Sequence, residues 1–207
     1  MRKNKKNKRF VYLISPNKIK NKDFYNKLHQ VLSSKKVGFF QLRLKKENIR
    51  NKIYIAKKIK KICKKYQVKF LINDDPMLAK KVNADGCHLG QKDMNILKAR
   101  KILKNKTIGI TCHNSINLAK KAVADGASYL AFGAFYSSKT KKVKYKASLK
   151  ILSLAKKLTN TPIVAIGGIK DTNYKKLLLN KANFLAISSY IWNNKKLNPK
   201  EAINKII

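Results

Sequence analysis

Carboxylates are scarce in this chain. Nine Asp and Glu stand against 50 Lys and Arg, a formal net charge of +41. Disorder does not account for the imbalance, because 44 % of the residues are hydrophobic, an ordinary share for a folded protein. Arginine is scarce as well: only positions 2, 9, 43, 50 and 100 carry it. Arg is the residue favoured for bidentate phosphate and base recognition, and the lysines are spread over nearly every amphipathic stretch. A compositional surplus of surface Lys therefore outweighs a nucleic-acid-binding barrel, which stays as the non-enzymatic alternative. The field of so many cations still attracts anionic substrates. Cys63, Cys87 and Cys112 form no CxxC pair and are odd in number, so they read as reduced, cytosolic thiols rather than a zinc or disulfide framework. No apolar run approaches the roughly 20 residues that span a bilayer. The opening MRKNKKNKRF leads only into the short run FVYLIS, without the h-region of a secretory leader. The expectation is a cytoplasmic protein with no membrane partner, a basic tail over residues 1–9 and one domain over 10–207; oligomeric state stays open.

What is present is an alternation. Eight short apolar runs, at 10–15, 37–43, 69–73, 86–90, 107–111, 129–133, 162–168 and 184–188, are rich in β-branched and aromatic residues and mostly unalternated, as parallel strands buried on both faces are. Lys-studded helical patterns lie between them. Ile55, Ile59, Ile62 and Tyr66 recur at spacings of three and four within 52–66, and Leu149, Leu152, Ala155 and Leu158 recur every three within 147–158. The two ADG triplets, at 84–86 and 124–126, predict left-handed glycine stops between helix and strand. Eight strand–helix units in a chain of this length predict a single-domain α/β fold, the (β/α)8 TIM barrel. A doubly wound sheet would carry a Gly-rich dinucleotide loop after its first strand, and LISPNK is no such loop.

A barrel places its chemistry just after its strands. Four of the nine acids fall within residues 73–93, namely Asp74, Asp75, Asp85 and Asp93, where an even spread would put roughly one. Asp74 and Asp93 follow adjacent strands, so their carboxylates can converge as a Mg2+ pair completed by water and substrate phosphate. Asp75, before Pro76, suits a helix start, and Asp85 a turn. Gln41, Arg43 and Lys45 share one face by their spacing of two. Gly167-Gly168 and Ser188-Ser189 sit where barrels commonly hold a phosphate on backbone N–H groups. His88 reads as core, and His113 as a hydrogen-bonded residue near a strand end.

QLRLK, LINDD, ADGCHLGQKD, SSKTKK, IVAIGGI and ISS, in this order and spacing, resemble the thiamine phosphate synthase family from about residue 10 to residue 191. The resemblance implies a Mg2+-dependent transferase. It joins 4-amino-2-methyl-5-(diphosphooxymethyl)pyrimidine to a thiazole phosphate and releases diphosphate, through a pyrimidine methylene cation. It implies pyrimidine-diphosphate contacts at Gln41, Leu42, Arg43, Leu44, Lys45, Asn73, Thr111 and Lys141, with Arg43, Lys45 and Lys141 catalytic. It implies metal ligands at Asp74 and Asp93, and a thiazole-phosphate site at Ser138, Lys139, Thr140, Gly168, Ser188 and Ser189. No activated nucleophile is required, in keeping with the lack of any Ser-His-Asp or Cys-His signature. The metal-independent thiazole tautomerase on the same barrel is the alternative, and it lacks QLRxK, ND and GQxD. Thr111 stands where the family usually has Ser, Ser138 where it has Thr, and Phe184 where it has Gly.

Overall fold

The computed structural model describes residues 9–19, 23–137 and 145–206. Eight parallel strands close into one barrel in chain order, β1 pairing with β8. They are β1 (Val11–Ile14), β2 (Val37–Leu42), β3 (Lys69–Asn73), β4 (Gly86–Leu89), β5 (Thr107–His113), β6 (Tyr129–Gly133), β7 (Ile163–Ile166) and β8 (Phe184–Ile187). The helices are α1 (Asp23–Leu32), α2 (Ile49–Lys65), α3 (Pro76–Lys81), α4 (Ile96–Leu103), α5 (Ile116–Ala124), α6 (Lys150–Leu158), α7 (Tyr174–Leu179), α8 (Ser189–Trp192) and α9 (Pro199–Lys205).

Two cores follow from strand alternation. Outward residues such as Val11, Leu13, Phe40, Leu42, Phe70, Ile72 and Cys87 pack with the apolar helix faces. Inward residues Tyr12, Ile14, Leu71, Tyr129, Ala131, Val164 and Ala186, joined by Phe39 and Phe184, fill the barrel. Large aromatics fit inside because Gly109 faces Tyr129; a Cβ there would lie 1.8 Å from the Tyr129 ring.

The acid deficit shows in the helix starts. Asn48, Asn95, Asn198 and Ser115 cap α2, α4, α9 and α5, each side chain accepting a backbone N–H of the first turn. Asp75 does the same for α3, with Pro76 just inside. Such a cap contributes about 1 kcal/mol, so Asn does here what Asp often does elsewhere. The Asn48 cap also begins α2 three residues before the sequence pattern. Helix α6 begins later than expected, because Ala147 N–H is bonded to the Ala134 carbonyl and Ser148 N–H to Asn114.

The two ADG triplets turn out to differ. Gly126 is left-handed, with φ of +84°. Gly86 instead lies in β4, where a Cβ would sit 1.8 Å from the Thr107 carbonyl oxygen; the left-handed residue before β4 is Asn83, φ +51°. Asp85 accepts the Phe70 N–H at 2.7 Å while its carbonyl accepts from Thr107. It ties together the starts of β3, β4 and β5, at the opposite end of the barrel from Asp74. Arg9, placed in the basic tail by composition, donates to the carbonyls of Tyr66 and Gln67; residues 1–8 lie outside the described residues.

Candidate active site

The C-terminal strand ends bring one set of predicted residues together. Asp74 follows β3 with φ of +64°, a left-handed conformation that Asp tolerates better than most residues, and its N–H is held by the His88 carbonyl at 2.8 Å. Asp93 lies in the turn after β4, with one carboxylate oxygen on the Gly90 N–H at 2.7 Å. The two acid side chains meet. Partial loss of solvent raises the Asp93 pKa, the Gly90 N–H opposes this, and the adjoining Asp74 carboxylate raises it further. Lys45 reaches across to Asp74 at 3.3 Å. This is one of three ion pairs among the described residues; the others are exposed pairs four apart on a helix or its end, Lys27–Asp23 and Lys121–Asp125.

Gln41 is 97 % buried (3 % exposed) on β2 and donates its amide to Asn73 on β3. Arg43 lies just past β2. Its N–H is held by Ser15 Oγ at 2.9 Å, and its guanidinium donates to Asn17 at 2.7 Å. Leu42 and Leu44 are buried in the helix-facing core, so what they offer the rim is backbone. Thr111 sits in β5 beside a bulge that shifts the register by one residue before His113. The strand thus runs two residues beyond the sequence expectation, and His113, φ +53°, stacks on Tyr145 at 4.2 Å.

On the far side, Gly167 and Gly168 have φ of +110° and +59°. A Cβ on either would strike the chain after β6, at 2.4 Å from Ala134 and 2.3 Å from the Ser137 carbonyl oxygen. Glycine is required twice over here, by conformation and by contact. Ser188 Oγ donates to the Ser15 carbonyl at 3.2 Å, and Ser189 opens α8. Ser138, Lys139, Thr140 and Lys141 lie outside the described residues.

Four residues of this end were not singled out as functional by the sequence. Ser15 joins the ends of β1, β2 and β8 through the Arg43 and Ser188 bonds. Tyr12, Tyr129 and His88 form a buried polar row beneath the rim. Tyr12 OH donates to Gln41 Oε1 at 2.9 Å and lies 2.8 Å from Tyr129 OH; His88 Nδ1 is 2.9 Å from Tyr129 OH, and its Nε2 is 2.9 Å from Thr111 Oγ1. Burial drives the His88 pKa down to about 4, against a small opposing pull from Asp93, so the imidazole is neutral. The signal in the sequence was parity: these residues share the inward face with Gln41, Asn73 and Thr111.

A closed (β/α)8 barrel with acids, cations and amides gathered at its C-terminal strand ends has the architecture of a barrel enzyme. The thiamine monophosphate synthase profile matches residues 11–191, and the chain belongs to that family. It is 74 % identical over 206 residues to a thiamine-phosphate synthase of Pelagibacter ubique, covering 100 % of both chains. A thiamine-phosphate synthase of Nitrosomonas eutropha is 38 % identical, over 88 % of this chain and 86 % of its own. Among solved structures, thiamine phosphate pyrophosphorylase from Pyrococcus furiosus superposes with a TM-score of 0.84 at 26 % identity, covering 97 % of this chain and 94 % of that one.

Proposed function

We propose that this barrel is a thiamine-phosphate synthase, a transferase that joins a pyrimidine methylene diphosphate to a thiazole phosphate. The meeting of Asp74 and Asp93 beside Lys45, with Lys45 and Asp74 just past the same two strands, β2 and β3, that hold the Gln41–Asn73 pair, is the observation that carries this reading. The bond broken is that between the pyrimidine methylene carbon and the bridging diphosphate oxygen. Its electron pair leaves with diphosphate, and the thiazole nitrogen supplies the pair that forms the new C–N bond. The charge that must be stabilised therefore appears on the leaving group.

The residues fit a divalent cation. Two adjoining carboxylates repel, which is part of why the Asp93 pKa is raised, and a cation removes that conflict. No group of three or more His, Cys, Asp and Glu gathers among the described residues. A pair of carboxylates with the remaining positions left to water and phosphate is how Mg2+ is commonly held. In this reading Asp74 and Asp93 hold Mg2+, which when bound neutralises developing phosphate charge. Arg43 and Lys45 extend from the adjacent strand end to the same oxygens, with Lys141 assigned to join them. Gln41, Asn73 and Thr111 orient the pyrimidine. Gly168, Ser188 and Ser189, with Ser138, Lys139 and Thr140, receive the thiazole phosphate. The apolar inner wall keeps water from the methylene cation.

The test is to supply both substrates and measure thiamine phosphate and diphosphate together. The expected result is equal amounts of each, and neither when one substrate is omitted. Diphosphate without thiamine phosphate, or no product at all, would overturn the reading. No described helix is long and apolar enough to cross a membrane; a cytoplasmic location is part of the proposal.

A further inference from the structure

Six inward side chains from six consecutive strands make one unbroken hydrogen-bonded row. Asn73 Oδ1 accepts from Gln41 Nε2, and Gln41 Oε1 accepts from Tyr12 OH at 2.9 Å. Tyr12 and Tyr129 hydroxyls are 2.8 Å apart, Tyr129 meets His88 Nδ1 at 2.9 Å, and His88 Nε2 meets Thr111 at 2.9 Å. Each tyrosine has one hydroxyl proton, and a neutral imidazole has one N–H. Those limits propagate direction along the row. Tyr12 gives its proton to Gln41, so its oxygen accepts from Tyr129. The Tyr129 proton is then spent, and its oxygen accepts from His88 Nδ1–H. His88 Nε2 is left bare and takes the Thr111 proton.

We infer that Tyr12, Tyr129 and His88 are positioning residues that fix the polarity of the pyrimidine site, holding His88 as the Nδ1–H tautomer so that Thr111 presents only lone pairs to the cavity and Asn73 only its N–H donors. This rests on Thr111 and Asn73 being pyrimidine-diphosphate contacts. The diphosphate bears acceptors, so the donor that Thr111 accepts is the exocyclic amine of the pyrimidine. A 4-oxo analogue sets acceptor against acceptor at Thr111 and is refused, as a site built for one hydrogen-bond pattern refuses its inverse. The row is also difficult to reverse, since Tyr12 and Tyr129 are 1 % and 2 % exposed and no water supplies an alternative partner cheaply.

The test needs no turnover for its first arm. Histidine 15N–1H correlation spectra of the whole, ligand-free protein separate the two tautomers, and His88→Gln identifies the His88 signals among three histidines. The expected state is Nδ1–H. Tyr129→Phe removes the only oxygen at Nδ1 named above, so the proton moves to Nε2 and Thr111 is forced to turn its own proton outward. In that variant the amino-over-oxo preference in kcat/KM falls at least tenfold, while KM for the thiazole phosphate is unchanged. An Nε2–H tautomer in the wild-type protein overturns the inference, as does Tyr129→Phe retaining both the Nδ1–H form and the full preference. If the protein makes no product with any substrate pair, the functional reading fails while the tautomer result still stands.

Discussion

Asp93→Asn separates a residue kept for the fold from one kept for a ligand, because the two roles predict opposite signs. The change keeps side-chain shape and leaves an amide oxygen for the Gly90 N–H, now held at 2.7 Å. It removes one of two adjoining negative charges. Two unit charges about 4 Å apart interact by ~4 kcal/mol at an effective dielectric near 20. Asp93 is exposed and Lys45 lies 3.3 Å from Asp74, so solvent and the lysine offset most of that, leaving a gain of roughly 0.5 kcal/mol. Urea denaturation without divalent cation should therefore show the variant equal to or slightly above wild type. With Mg2+ at a hundredfold excess over its dissociation constant, wild type should gain about 2.7 kcal/mol and the variant far less. A variant destabilised by more than 1 kcal/mol without cation, and still responding fully to Mg2+, would refute the reasoning. Asp93 would then be an ordinary turn residue.

Three further perturbations probe other parts of the account. Arg43→Ala should lower kcat/KM for the pyrimidine diphosphate by about a hundredfold, the scale of one lost charge-stabilising donor, with little change in KM for the thiazole phosphate in steady-state assays; equal effects on both would count against the assigned division. Gly109→Ala puts a methyl 1.8 Å from a ring atom of the buried Tyr129, and over-packing of that kind costs about 1–3 kcal/mol, measurable as a lower denaturation midpoint; an unchanged midpoint would show the barrel interior to be looser than described. The His88 pKa is lowered to about 4 by burial, so between that value and its unfolded value near 6.5 the unfolded chain binds the extra proton. Stability from this group is complete above the upper value and falls with pH to about 4, by roughly 3 kcal/mol at most. The raised Asp93 pKa acts with the opposite sign, favouring the folded state as pH falls into the carboxylate range. His88→Gln should flatten the acid limb between pH 6.5 and 4, and an unaltered slope would contradict the burial argument.

The strands were legible because parallel barrel strands are apolar on both faces: every run but that of β5, which extends two residues further to His113, contains its strand, and the ends agree within a residue or two. Helix starts were less so, since α6 is delayed by backbone bonds to Ala134 and Asn114 that only tertiary structure supplies. Gly86 illustrates a subtler limit. Its local pattern matched that of Gly126, but a backbone contact from Thr107, 21 residues away, is what excludes a side chain there. The meeting of Asp74 and Asp93 could be anticipated because adjacent strands in chain order are neighbours in this topology. The Tyr12–Tyr129–His88 row could not, for it needs closure of the barrel to bring β1 within reach of β6. A tyrosine within an apolar run then reads as core, which is only half of what these residues are.

The acid-poor composition leads to one central claim, that Asp74 and Asp93 are retained where a lysine cannot substitute, as the holders of Mg2+ for diphosphate departure. The most direct measurement is the initial rate of thiamine phosphate formation in EDTA, followed by stepwise return of Mg2+. The expected result is loss of at least a hundredfold in EDTA and saturable recovery with Mg2+, absent in Asp93→Ala. A rate indifferent to EDTA, or full recovery in the Asp93→Ala variant, would contradict it.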